Sequence, residues 1–101
     1  MDKLIDKIID TILKNKLIHW LRDTSIITNY SYTASNYVAS EYNNISLVFK
    51  INKNKDSDEL RYLIKDALIR DLSLHEQVYE VNCNNSLHEN DKHVMIINII
   101  V

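Results

Sequence analysis

The chain has 101 residues and a formal charge of −2, from 12 Lys/Arg against 14 Asp/Glu, with 46% apolar and 26% charged residues. That balance is the one of an ordinary globular domain spanning residues 1–101, and it gives no overall drive toward nucleic acid or an anionic membrane. Glycine and proline are both absent. This excludes P-loops, dinucleotide fingerprints and G-x-S-x-G elbows, each of which needs glycine where backbone turns sharply or meets a phosphate.

In chain order, residues 2–22 place Leu4, Ile5, Ile8, Ile9, Ile12, Leu13, Leu17, Trp20 and Leu21 at three- and four-residue spacing. This predicts one amphipathic helix with Asp2 as its cap. Its polar face mixes Asp with Lys, which suits packing on a sheet better than lying on a membrane. Residues 26–33 alternate in strand-favouring types. Residues 34–44 fit a loop, a short helix or a further strand. Residues 24–49 carry a single charge, Glu41, and four tyrosines, Tyr30, Tyr32, Tyr37 and Tyr42. A tyrosine surface for single-stranded nucleic acid needs Lys or Arg beside it. Without them, the composition points to a sheet surface or a protein interface.

Residues 45–52 alternate as a strand, with Ile45, Leu47, Phe49 and Ile51 on one side. Asp56 and Glu59 resemble a capping box opening a helix over 57–74. Leu60, Leu63, Ile64, Ala67, Leu68 and Leu72 form its expected buried stripe, and Arg61 falls on its solvated face. A strand at Val78–Cys83 and a polar connection then lead to the last run, His93–Val101. Both alternating faces of that run are apolar except at Asn98, so it reads as a strand that needs cover on both sides.

The expected architecture is α+β. A small antiparallel or mixed sheet of 3–4 strands carries two amphipathic helices on one face, in the order α-β-(β)-β-α-β-β. If strands 45–52 and 78–83 are parallel, helix 57–74 is their crossover, and the last strand fits between them. Without glycine, asparagine is expected to take the left-handed turn positions.

Candidate chemistry is sparse. Cys83, His88 and His93, with His75 as a fourth ligand, are weak candidates for zinc, because no C-x2-C or H-x3-H pair is present. Nothing marks Cys83 as an activated nucleophile, and the single cysteine fits a reducing, intracellular setting, cytoplasmic or virion-associated. The acids of a PD-(D/E)xK nuclease core are missing from Val48-Phe49-Lys50. No cofactor is expected, and no run approaches the ~20 apolar residues of a membrane span. The scarcity of Gly, Pro, Ala and Arg fits an AT-rich genome, such as that of a large DNA virus or a mobile element.

These readings converge on a non-catalytic protein–protein interaction module: an assembly subunit, an inhibitor or an immunity-type partner. Its partner is another protein or a second copy in a homo-oligomer. Tyr30, Tyr32, Tyr37, Tyr42, Ile97 and Ile99 are the expected interface residues. The alternative is a nucleic-acid-associated accessory protein using Lys3, Lys7, Lys14, Lys16 and Arg22, or Lys50, Lys53 and Lys55.

Overall fold

The computed structural model describes residues 2–36, 42–84 and 92–101. The expected long first helix is broken in two, as α1 (Asp2–Lys14) and α2 (Lys16–Asp23). The break is made by Asn15, whose backbone is extended (ψ 132°) and whose side-chain oxygen accepts from the N–H groups of Leu17 and Ile18 at 3.0 and 3.2 Å. Those donors have no partner inside the new helix, so the amide acts as its N-cap. The same side chain donates to Asp71 at 2.6 Å and ties the junction to α3 (Asp58–Leu72). The break also resets the helical phase. Ile5, Ile8, Ile9 and Ile12 are buried from α1, and Ile18 and Leu21 from α2, whereas Trp20, expected in the stripe, is 55% exposed.

Four strands follow: β1 (Ile27–Asn36), β2 (Asn43–Ile51), β3 (Glu80–Cys83) and β4 (Val94–Ile100). The sheet order is β1-β2-β4-β3, and every neighbouring pair is antiparallel. β2 and β3 therefore run parallel, with β4 between them and α3 as the crossover. The two faces differ sharply. Ile45, Leu47, Phe49 and Ile51 of β2 and Met95, Ile97 and Ile99 of β4 are buried together with the inner faces of the helices. All three helices thus lie on that one face.

α3 begins where expected, but by a different device. Ser57, not Asp56, is the N-cap, its hydroxyl accepting from the Leu60 N–H at 3.0 Å. Asp56 instead turns inward to Arg61, which is wholly buried rather than on the solvated face. Leu63, expected inside, is 51% exposed. β3 starts two residues later than expected, because Val78 closes a turn onto the His75 carbonyl at 3.1 Å.

Two residues take the left-handed conformation among those described, Ser25 (φ 60°) and His93 (φ 56°), and neither is asparagine. Ser25 lies just past α2. Its N–H bonds the Arg22 carbonyl at 3.1 Å, and the next N–H, of Ile26, bonds that of Leu21 at 2.8 Å. This is a Schellman ending, in which glycine usually occupies the place Ser25 holds.

Candidate interaction surface

The face of the sheet opposite the helices has no described helix or strand over it. Its make-up follows from the strand register. Val48 of β2 lies between Ser31 of β1 and Ile96 of β4. Ser46 lies between Thr33 and Asn98, and Asn98 pairs onward with Asn82 of β3. Asn44 lies between Ser35 and Ile100, and Ile100 pairs onward with Glu80. Lys50 pairs with Val94 at the far end. The result is a short apolar stripe of Val94, Val48, Ile96 and Ile100 set among neutral hydroxyls and amides. Lys50 and Glu80 at opposite ends are the charges in these rows. The stripe residues are half-buried.

One end of this face is hollowed. Tyr42 and Tyr79 meet there with ring centroids 4.8 Å apart and planes inclined by 35°. Together with Asn43, Asn44, Asn82, Asn98 and Ile100 they line an open hollow of about 500 Å³. Tyr79 reaches it because its N–H bonds the Ile100 carbonyl at 2.7 Å although Glu80 is the register partner of Ile100. Two residues thus oppose one, as in a β-bulge, and the tyrosine is brought to the same side as Glu80 and Asn82. Rings beside amides can take up an apolar group and bond its polar neighbours at once.

The expected interface residues separate. Tyr42 lies in the hollow and is 44% exposed. Tyr32 is 39% exposed on β1, and Tyr30 is half-buried beneath the Arg22 guanidinium, 5.0 Å from the ring centre. Tyr37 lies outside the described residues. Ile97 and Ile99 are corrected: they face the helices and have no exposure. The strand's half-exposed apolar groups are Val94, Ile96 and Ile100, because alternation along β4 gives the core its odd-numbered residues. Tyr79, expected inside the strand Val78–Cys83 on one face with Val81 and Cys83, lies instead just before β3 and on the open side, while Val81 and Cys83 pack against the core.

The candidate metal ligands are not brought together. Among the described residues no group of three His, Cys, Asp or Glu side chains is clustered as a metal would require. His75 sits beside Gln77, with Nδ1 and Oε1 3.2 Å apart. Cys83 is half-buried on the core side of β3, where burial pushes its thiol up to about 11 against the opposing charge of Lys65. That leaves it far from the thiolate form a nucleophile needs. His88 lies outside the described residues.

His93 belongs to a buried ionic cluster instead. Asp56 has no side-chain exposure, and its two oxygens accept from Arg61 Nε at 2.8 Å and Nη2 at 2.7 Å. Its Oδ2 lies 2.9 Å from His93 Nδ1 as well. Burial alone would raise the Asp56 carboxyl, but the hydrogen bonds and charges of Arg61 and His93 outweigh it and hold the carboxyl below its ordinary 3.8. The pair of His and Asp is one that orients a catalytic imidazole, but no serine or cysteine hydroxyl or thiol is bonded to the ring among the described residues. The cluster pins the loop before α3 to the start of β4.

Of the basic residues of the alternative reading, Lys14 and Lys16 have acids beside them, and Arg22 lies over the Tyr30 ring. Lys14, Lys16 and Arg70 border a hollow where the α1–α2 junction meets α3, and Asp71 stands in the same hollow. Lys14 is paired with Asp10 at 2.9 Å and Arg70 with Asp66 at 2.8 Å. No described helix is long and apolar enough to cross a membrane. Comparison of the chain with protein-family models, with curated proteins and with solved structures finds no match.

Proposed function

We infer that the protein is a non-catalytic protein–protein interaction module, serving as an assembly subunit, an inhibitor or an immunity-type partner. Its contact surface is the open face of the sheet. The observation that carries this reading is the composition of that face: an apolar stripe framed by Ser, Thr and Asn, with Tyr42 and Tyr79 at one end. Covering Val48, Ile96 and Ile100 supplies a hydrophobic gain, and charge is sparse in the central rows. Short hydroxyl and amide side chains satisfy a partner's polar groups at little entropic cost, and tyrosine adds contact area with few rotatable bonds.

The test is native mass spectrometry of the protein isolated gently from its own source, beside the same preparation carrying Ile96→Lys. A polypeptide that accompanies the wild-type chain and is lost from the variant, with thermal stability preserved, supports the reading. Retention of that polypeptide by the variant, or a wild-type chain that carries none, rejects it. Binding to DNA or RNA that weakens steeply with salt would shift the assignment to the nucleic-acid alternative.

A further inference from the structure

The two edges of the sheet are protected very differently. β3 is four residues long and carries Glu80. Short length and charge are common ways of guarding an edge. β1 is ten residues long, contains no charge and no proline, and its residues 31–35 are all exposed. Of the described strands, β2 alone pairs with it.

The backbone directions along β1 follow from the other side of β2. Asn43 and Val101 exchange two hydrogen bonds, at 2.8 and 2.9 Å, and the Ile51 N–H bonds the His93 carbonyl at 2.8 Å. Odd-numbered residues of β2 therefore bond toward β4, and the even-numbered Asn44, Ser46, Val48 and Lys50 bond toward β1. Their register partners are Ser35, Thr33, Ser31 and Asn29. The N–H and C=O groups of Tyr30, Tyr32 and Ala34 are left pointing away from the sheet. Consistent with this, the Tyr30 N–H is met by the side-chain oxygen of its own neighbour Asn29, at 2.8 Å.

We propose that this edge joins a second copy of the chain, β1 lying antiparallel to its equivalent and the two sheets merging into one of eight strands. The outward set 30-32-34 is complementary to itself about a two-fold axis at Tyr32. Tyr32 then pairs with Tyr32 of the second copy, and Tyr30 with Ala34 in both directions, so that a large ring meets a methyl group. Three such pairs exchange about six main-chain hydrogen bonds. An uncharged strand brings no like charges together when it meets itself. A symmetric contact of this kind closes at two copies and leaves no free β1 edge to propagate. This contact is on the edge and not on the open face, so its loss leaves the interaction surface proposed above intact, and the two readings fail separately.

The test is sedimentation velocity over a range of concentrations for the wild type, Tyr32→Pro and Tyr32→Lys. The Tyr32 N–H is not part of the β1–β2 ladder, so proline there removes no hydrogen bond from the monomer but obstructs the added strand. Lysine places two ammonium groups together on the axis. A wild-type dimer is expected, with folded monomeric variants whose melting, unlike that of the wild type, does not depend on concentration. Residue-resolved amide exchange of the wild type gives a second readout that does not depend on how the variants fold. Tyr32 and Ala34 should become protected as concentration rises, whereas Ser31 and Thr33 are protected throughout. A wild type that stays monomeric, a dimer that survives both substitutions, or exchange at Tyr32 and Ala34 that stays unprotected at every concentration overturns the proposal.

Discussion

Replacing Asp56 by alanine tests the most consequential polar feature of the core. Arg61 and Asp56 both have fully buried side chains, and their two hydrogen bonds are 2.8 and 2.7 Å long. The third guanidinium nitrogen, Nη1, is already buried with no hydrogen-bond partner among the described residues. Asp56→Ala strands a full positive charge in the interior, for which the expected cost is about 3–5 kcal/mol. A domain of this size has only about 5–15 kcal/mol in all, so the melting temperature should fall by more than about 12 °C. The companion variant Arg61→Met removes the charge and the unpaired nitrogen but retains the aliphatic volume. Combined with Asp56→Ala it should recover most of the loss, because neither ion is then buried alone. The assay is urea unfolding of the two single variants and the double variant. A single-variant cost under about 1 kcal/mol, the range of an exposed pair such as Arg70–Asp66, would refute the reasoning. So would a double variant whose cost equals the sum of its parts.

The same carboxyl sets a pH dependence. Its folded-state pKa lies below the ordinary 3.8, so the folded state binds this proton less readily than the unfolded chain. The stabilisation is fully present above that ordinary value and is lost as pH falls below it toward the folded value. The acid limb of a stability–pH curve should therefore flatten in the Asp56→Ala protein. An acid limb unchanged by the substitution would assign acid unfolding to other carboxylates.

Two further outcomes follow from local structure. Ser25→Gly should stabilise the fold by about 1 kcal/mol, because the left-handed C′ position of α2 costs a residue with a Cβ that much and the serine is exposed; equilibrium urea midpoints check this, and a loss of stability would contradict it. Cys83, with its thiol pushed up to about 11, should react with an alkylating reagent at pH 8 more than ~100-fold slower in the folded protein than in urea. Because that value is raised above the ordinary 9.0, its contribution to stability is present below pH 9 and declines as pH rises toward the folded value. Equal alkylation rates in the two states would contradict the burial of the thiol.

Alternation and helical spacing were enough to place most of the elements. Ile45, Leu47, Phe49 and Ile51 repeat every second residue, and Leu60, Ile64, Leu68 and Leu72 every fourth, because those periods bring apolar groups to one side of a strand or a helix. The split crossover with the last strand in the middle was also accessible, since a run as apolar as 94–101 belongs in the centre of a sheet. The break at Asn15 was not legible, because the apolar spacing runs through it. It arises from an amide that bonds forward to its own helix and sideways to Asp71, 56 residues away. Asp56 and Arg61 likewise carry the local signature of a capped helix with a solvated arginine. Only the approach of His93 across the sheet, and the space under α3, turn both inward. The open face shows the same division. Sequence gives the residue types on each side of a strand, but which side receives the helices, and hence that Ile97 is core while Ile96 is surface, depends on contacts between segments far apart in the chain. Local periodicity is fixed by bond geometry and can be read locally; burial is a property of the assembled layers and exists only once they meet.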